Sequence, residues 1–240
     1  MSEFVFKQFK VKQQHSAMKI GTDSVLLGCL AEVEKAHQIL DIGTGTGILA
    51  LMSAQRSDAI IDAVEIDTQA AAEAHFNFKS SNWSNRLYAH HQSLQNFALN
   101  CQKLYDVVIC NPPYYIKDSN FSINDKQRSI ARHDADLTLN ELANNVIKLL
   151  NNTGSFWLIL PTHEAHIFSD YAKQSGLFLK QQVELYPKAN KPANRMIQQW
   201  CKYQTKPINN SFVIYEPNGE PTLAYKKIAQ AFYIGKQFQL

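Results

Sequence analysis

From residue 36 onward, short apolar runs alternate with segments that have the periodicity of helices. GILALMSAQR separates the apolar runs QILDIG and AIIDAVEID, and TQAAAEAHFNFKS separates AIIDAVEID from the runs RLYAHH and YDVVICN. This alternation is typical of βαβ units, whose right-handed crossovers give a parallel sheet with both faces covered. The pattern predicts an α/β fold built on a doubly wound sheet.

The later part of the chain departs from this alternation. LTLNELANNVIKLL predicts a helix, SFWLILP a strand, and HEAHIFSDYAKQSG a helix that ends at Gly176. LFLKQQVELYP and RMIQQWCKYQ then follow as two strands without a helix between them. A parallel pair needs a longer crossover, so these strands are predicted to be antiparallel. The expected sheet is mostly parallel with an antiparallel late strand.

The first 35 residues precede this pattern as a short N-terminal extension. FVFKQFKVKQ alternates every two residues and predicts a strand or hairpin. Thr22 is predicted to cap the start of a helix, DSVLLGCLAE. We find no repeat or proline-rich linker, so residues 1–240 are predicted to form a single domain. It comprises the extension, 1–35, and a core, 36–240, that includes a C-terminal strand and helix.

Composition narrows the class of protein. Of 240 residues, 45% are hydrophobic and 19% are charged, as in an ordinary globular protein. The start, MSEFVFKQFK, lacks the apolar region of a signal peptide, and no run approaches the ~18 apolar residues of a membrane span. We therefore expect a cytoplasmic protein. The four cysteines show no C-x-x-C spacing, so neither a zinc site nor a disulfide framework is indicated, and no metal is expected.

The first candidate binding motif is DIGTGTG, which lies at the end of the first core strand. Gly43, Gly45 and Gly47 permit positive φ and let a ligand lie against the backbone at a helix N-terminus. A dinucleotide site would need G-x-G-x-x-G, but the position of its third glycine holds Ile48. The loop also lacks the Gly-Lys-Ser/Thr of a P-loop. The sequence thus argues against both of these nucleotide sites.

A carboxylate ends the second core strand. Glu65 lies twenty residues after Gly45, where an acid can accept hydrogen bonds from both hydroxyl groups of a ribose. Asp67 is predicted to be the N-cap of the following helix. The loop and the acid together indicate a cofactor that contains a ribose.

The fourth core strand ends in Asn111-Pro112-Pro113-Tyr114. Two prolines remove two backbone donors and fix two φ angles, so the chain leaves the sheet extended and rigid. The Asn111 side-chain oxygen and the Pro112 carbonyl could accept both hydrogens of an exocyclic amino group and direct its lone pair at an electrophile. Tyr114 could stack on a base, worth ~1–3 kcal/mol. The alternative is a structural Asn-Pro turn.

The order of these motifs resembles that of the class I S-adenosylmethionine-dependent methyltransferases. The resemblance implies a Rossmann-like methyltransferase sheet with S-adenosylmethionine as the cofactor. It implies that Asp41 orients the methionine amino group, that the three glycines line the cofactor, and that Glu65 holds the ribose. Many relatives carry an Asp after the third strand that contacts the adenine amino group, and the residue assigned to that place here is Ser93.

A resemblance over nearly the whole chain is to the bacterial tRNA adenine-N6 methyltransferases that modify the adenine 3′ of the anticodon in a valine tRNA. It is carried by FVFKQFKVKQ, MKIGTDSVLLG, ARHDADLTLNEL, a basic loop ending at Arg195 and a terminal aromatic helix reading AFYIG. The resemblance implies a tRNA substrate, and it places Lys19, Thr22 and Asp23 near the cofactor. A monomer is expected. Methyltransferases of release-factor glutamines and of amino groups in rRNA or DNA share the N-P-P-Y chemistry and are the alternatives.

Basic residues are candidates for contacts with RNA phosphates. Lys188, Lys191 and Arg195 lie in PKANKPANR, and Arg132 follows N-P-P-Y. A solvated surface loop explains the first three equally well, and pairing with nearby aspartates explains Arg132. The phenylalanines and lysines of the N-terminal extension could also contact nucleotides, although burial is the expected role of most of these phenylalanines. The net charge of +3 is too small to identify a nucleic-acid-binding protein.

Overall fold

The computed structural model describes residues 3–16, 18–112 and 137–239. An N-terminal hairpin precedes an eight-stranded sheet that has helices on both faces. The strands are β1 Glu3–Val5, β2 Lys10–Lys12, β3 Gln38–Ile42, β4 Ile60–Glu65, β5 Leu87–His91, β6 Tyr105–Cys110, β7 Leu150–Pro161, β8 Phe178–Lys188, β9 Arg195–Cys201 and β10 Ile208–Tyr215. The helices are α1 Thr22–Leu30, α2 Ile48–Arg56, α3 Thr68–Lys79, α4 Leu94–Asn100, α5 Leu139–Leu149, α6 Thr162–Gln174 and α7 Leu223–Ala229.

The strands of the large sheet follow the order β10-β8-β9-β7-β6-β3-β4-β5. Strands β3 to β7 are parallel to their neighbours within this group. Strand β9 is antiparallel to both β7 and β8. These pairings confirm the Rossmann-like, mostly parallel sheet and its antiparallel late strand. Strand β10 extends the sheet by pairing in parallel with β8.

The central strands bury side chains on both faces because successive residues of a strand point in opposite directions. Ile39 and Ile61 belong to a hydrophobic cluster with α1, α2, α3 and α7. Leu40 and Val64 belong to a second cluster with α4, α5 and α6. Burial on both faces explains why these strands are nearly continuous apolar runs in the sequence.

The N-terminal extension contributes to the first of these clusters. The predicted hairpin is confirmed, and Phe6 and Phe9 are buried while Lys7 is exposed. The prediction that Thr22 caps α1 is wrong. Gly21 is the N-cap residue and makes no side-chain bond, and the Thr22 hydroxyl lies 3.2 Å from the hydroxyl of Tyr215 instead.

The C-terminal part differs from the predicted elements in two places. Strand β7 begins at Leu150, directly after α5, and is therefore longer than SFWLILP. AFYIG is not a helix, because α7 ends at Ala229 and the Phe232 carbonyl accepts a hydrogen bond from the Lys7 amide at 2.8 Å. Within the described ranges, no helix has both the length and the apolar character that a membrane crossing requires.

Candidate active site

Three strand ends meet at the carboxyl edge of the sheet. Ile42 at the end of β3 is in register with Val64 of β4 and with Cys110 at the end of β6. The glycine loop, Glu65 and Asn111 therefore leave the sheet side by side. They do so where the strand order reverses around β3, which is where ligands bind in doubly wound sheets.

A cavity of about 590 Å³ lies at this edge. Its volume is within the range of small-molecule sites. Its walls combine apolar side chains such as Ile42, Ile66 and Leu94 with polar groups. The predicted site residues that line it are Lys19, Gly43, Gly45, Glu65, Ser93, Asn111 and Pro112.

The glycine loop adopts the positive φ angles that its sequence predicts, with values of 66° at Gly43, 55° at Gly45 and 84° at Gly47. Gly47 is not among the described residues that line the cavity, although it was predicted to contact a cofactor. It is the N-cap of α2, and a Cβ atom there would lie 2.5 Å from the ring of Phe78. Its conformation and its packing therefore both require glycine.

Asp41 is fully buried beneath this loop. Its Oδ2 accepts hydrogen bonds from the Thr44 hydroxyl at 2.5 Å and from the Ala50 amide, in the first turn of α2, at 3.1 Å. Its Oδ1 has no hydrogen-bond partner among the described residues. Burial raises the pKa of Asp41 to about 7; the two hydrogen bonds oppose this shift, and the nearby Glu65 adds to it. A cation beside Oδ1 would favour the charged carboxylate.

Glu65 is held at the wall of the cavity by two backbone donors. Its Oε2 accepts from the Gly45 amide and its Oε1 from the Asp67 amide, both at 2.9 Å. Each carboxylate oxygen can accept a further hydrogen bond, so the group can still bind ribose hydroxyls. Asp67 is the N-cap of α3, as predicted, since its side chain accepts from the Ala70 amide at 2.8 Å.

Asn111 follows β6 and is 8% exposed. Its Nδ2 donates a hydrogen bond of 2.9 Å to the hydroxyl oxygen of Ser24, in the first turn of α1. Ser24 also lines the cavity, although it was not among the predicted site residues. Its position directly after the predicted residues Thr22 and Asp23 is the signal that could have drawn attention to it.

Thr22 and Asp23 themselves are not among the described residues that line the cavity. The Asp23 carboxylate accepts a hydrogen bond of 2.8 Å from Nε of Arg195, at the start of β9. A residue predicted to lie near the cofactor thus forms an ion pair with one predicted to bind RNA. Tyr114 and Arg132 lie outside the described residues.

Lys19 and Ser93 both line the cavity. The Lys19 ammonium donates to the main-chain carbonyl oxygen of Gln14 at 3.3 Å and to that of Gln13. Ser93 is the N-cap of α4 and accepts from the Asn96 amide at 3.2 Å. Both side chains therefore also stabilise the backbone around the cavity.

Glu73 of α3 is buried, and no motif in the sequence indicates a role for it. Its carboxylate accepts hydrogen bonds from the amides of Gln14, His15 and Ser16 at 2.5, 3.1 and 2.9 Å, and from the Ser16 hydroxyl at 2.6 Å. Burial would raise the pKa of Glu73, but these bonds outweigh it and hold the pKa below its usual value. Glu73 therefore anchors the segment that leads to Met18, on the cavity wall.

The three basic candidates in PKANKPANR lie at the same edge of the sheet as Asn111. Arg195 is in register with Pro161, where β7 ends, and Lys188 ends β8. Lys191 is exposed, whereas the Lys188 ammonium donates to the Pro217 carbonyl at 2.9 Å. Over the ranges that the structure describes, no group of three or more His, Cys, Asp or Glu side chains is arranged to hold a metal ion.

The chain is similar in sequence to known methyltransferases. The model of the methyltransferase small domain matches residues 13–166. A tRNA1(Val) (adenine(37)-N6)-methyltransferase from Trichodesmium erythraeum is 36% identical, with 97% of this chain and 98% of the relative covered. A relative of the same name from Pseudoalteromonas translucida is 40% identical, with 98% and 99% covered. The chain belongs to the family of the tRNA1(Val) (adenine(37)-N6)-methyltransferases.

The predicted family is thereby confirmed, and a solved structure agrees with the fold. A "predicted O-methyltransferase" from Agrobacterium tumefaciens has a TM-score of 0.64 at 15% identity, covering 88% of this chain and 96% of that one. The residues present also fit S-adenosylmethionine. The loop carries backbone donors at the start of α2, Glu65 can accept from a ribose, and the buried Asp41 retains an oxygen without a described partner.

Proposed function

We propose that the protein transfers a methyl group from S-adenosylmethionine to N6 of adenine 37 in tRNA1(Val), as a monomer in the cytoplasm. The observation that carries the proposal is the position of Asn111 and Pro112 on the wall of a cavity that Glu65 and the glycine loop also line. Similarity to relatives of that name over almost the whole chain supports the choice of substrate.

In this proposal, the glycine loop and Glu65 bind and orient the cofactor. S-adenosylmethionine, when bound, supplies the methyl group on a positively charged sulfur. The backbone of Gly43 and Gly45 lies against it, and the Glu65 carboxylate accepts hydrogen bonds from the ribose hydroxyls. Ser93 and the exposed side chain of Ile66 line the part of the cavity next to Glu65 and are assigned to the adenine. Asp41 and Lys19 are assigned to the methionine end.

Asn111 and Pro112 act on the substrate. The N6 amino group of adenine is planar because its lone pair is delocalised into the ring. Two acceptors, Oδ1 of Asn111 and the carbonyl of Pro112, bind its two hydrogens and favour the geometry in which the lone pair faces the methyl group. These dipoles are fixed before the reaction and match the charge that develops in the transition state. No general base is needed before the attack, since the proton can leave afterwards.

The tRNA is proposed to bind across the carboxyl edge of the sheet. Lys191, Lys188 and Arg195 contact its phosphates there, while the target adenine turns out of the loop toward Asn111. Arg132 and Tyr114, which lie outside the described residues, are assigned to a phosphate and to stacking on the adenine.

The test is incubation with methyl-labelled S-adenosylmethionine and, in separate reactions, unmodified tRNA1(Val), release factor and duplex DNA. We expect label only in tRNA, recovered as N6-methyladenosine at position 37 after digestion and mass spectrometry. Substitution of adenine 37 by guanine is the matched control and should abolish labelling. Label in release factor would retain the chemistry at Asn111 but overturn the substrate, because glutamine amides present a similar planar nitrogen.

A further inference from the structure

The first turn of α1 contacts three strand ends through three successive side chains. The contacts are Thr22 with Tyr215 of β10, Asp23 with Arg195 of β9, and Ser24 with Asn111 after β6. We propose that Ser24 is a positioning residue for methyl transfer, because its hydroxyl oxygen holds the Asn111 amide nitrogen and so directs the amide oxygen toward the substrate. This inference rests on the proposed function.

An asparagine amide needs such a contact to act as an acceptor in one direction. Its oxygen accepts and its nitrogen donates, and the terminal torsion of the side chain is broad, so that a rotation of about 180° exchanges the two. A rotated Asn111 would present N–H to the N–H of the substrate. The Ser24 oxygen accepts from Nδ2 at 2.9 Å, so in the observed orientation Nδ2 faces Ser24 and Oδ1 lies on the other side of the amide.

The environment strengthens this contact. Ser24 and Asn111 are each 8% exposed, and hydrogen bonds are stronger where water is largely excluded. Ser24 is part of a helix whose first turn is joined to β9 by the ion pair between Asp23 and Arg195. The position of the hydroxyl is therefore fixed by the fold and not only by its own rotamer.

The variant Ser24→Ala tests the proposal, and Ser53→Ala is its matched control. Ser53 is also a buried helical serine, but its hydroxyl donates to the Leu49 carbonyl within α2 at 2.8 Å. For Ser24→Ala we expect kcat for tRNA methylation to fall about 10- to 100-fold, as for other losses of catalytic alignment, with unchanged KM for tRNA and unchanged cofactor Kd. Ser24→Thr, which keeps the hydroxyl, should recover most of kcat.

A kcat for Ser24→Ala equal to that of Ser53→Ala would overturn the proposal, as would an equal loss in Ser24→Thr. If Ser24→Ala does not fold, Ser24→Cys replaces it, because a thiol is nearly isosteric but a weak acceptor. The kcat of Ser24→Cys should be lower than that of wild type but still measurable. A wild-type kcat in folded Ser24→Cys would also count against the positioning role.

A measurement without tRNA separates this inference from the proposed function. If the wild-type protein does not methylate tRNA, the proposed function has failed, but the contact can still be tested by nuclear magnetic resonance. The side-chain amide signals of Asn111 are identified by their loss in Asn111→Ala. They should shift in Ser24→Ala and stay in place in Ser53→Ala. Unchanged signals in Ser24→Ala would show that Ser24 does not hold the amide.

Discussion

Glu73 attaches the segment before α1 to α3, and Glu73→Gln tests how far the cofactor cavity depends on this contact. The carboxylate accepts four hydrogen bonds from residues 14–16. Glutamine has a single acceptor oxygen, so two of these bonds are lost and an amino group faces backbone N–H groups instead. A hydrogen bond to a charged group is worth about 1.5 kcal/mol at the lower end of its range. The loss of two such bonds therefore weakens the attachment of residues 14–16 to α3 by about 3 kcal/mol.

The loss should appear as weaker cofactor binding. Met18, Lys19 and Ile20 follow the anchored residues and line the cavity. Apparent affinity falls in proportion to the fraction of molecules in which this segment is attached. Since 1.4 kcal/mol is tenfold, about 3 kcal/mol sets a ceiling of roughly 100-fold. We expect titration calorimetry with S-adenosylmethionine at neutral pH to show a Kd raised by about tenfold or more.

Glu34→Gln is the matched control, because Glu34 is also paired, to Arg56 at 2.6 Å, and does not line the cavity. It should leave the Kd unchanged. A wild-type Kd in folded Glu73→Gln would refute the reasoning. The pH dependence gives a second check, since hydrogen bonding lowers the pKa of Glu73 in the folded state. Its stabilisation is present above the ordinary glutamate pKa of about 4.3 and is lost as the pH falls through the lowered value, so acid should destabilise wild type more than Glu73→Gln.

Three further substitutions test the active site, the RNA surface and the core. Asn111→Ala should abolish turnover while calorimetry still shows cofactor binding; loss of affinity would instead mean that Asn111 is structural. Lys191→Glu should weaken tRNA binding and lower the slope of log affinity against log salt concentration by about 1 or more. Lys206, which is exposed near the opposite edge of the sheet, is the control, and Lys206→Glu should leave the slope unchanged. Equal slopes in the two variants would remove Lys191 from the interface. Asp62→Asn should lower the free energy of unfolding by about 2 kcal/mol without changing kcat. The buried Asp62 uses both oxygens, Oδ2 with Tyr105 and Lys103 at 2.9 Å and Oδ1 with His90 at 2.6 Å, whereas asparagine has a single acceptor oxygen. Urea unfolding with wild-type stability would contradict this.

The sequence predicted the parts of the site that depend on local order. Glu65 and Asn111 each follow an apolar run, and the ends of parallel strands meet at one edge, so their proximity follows from the βαβ pattern. Ser24 and Glu73 could not be found in this way. Ser24 contacts a residue 87 positions away and Glu73 contacts residues 57 to 59 positions away. Such pairs depend on how helices pack on the sheet, which local periodicity does not encode.

The sequence also could not separate residues that touch a ligand from residues that shape the loop around it. Gly47 stands in the same alternating motif as Gly43 and Gly45, yet it turns the chain into α2 against Phe78. Asp41 likewise uses one oxygen to hold Thr44 and the first turn of α2. One regular motif therefore contains glycines that line the cavity and a glycine that shapes the loop, and only the packing distinguishes them.

Segments outside the βαβ pattern also contact residues that line the cavity. The parallel strands supply Asn111 and Glu65. A hydrogen bond to the Asn111 amide comes from Ser24 of α1, and α1 is joined to β9 through Asp23 and Arg195. Arg195 in turn starts the antiparallel strand at the edge proposed to bind RNA. Under the proposed function, a phosphate bound at Arg195 would therefore lie beside the helix that carries Ser24, so that the proposed RNA contact and the contact to Asn111 involve one element.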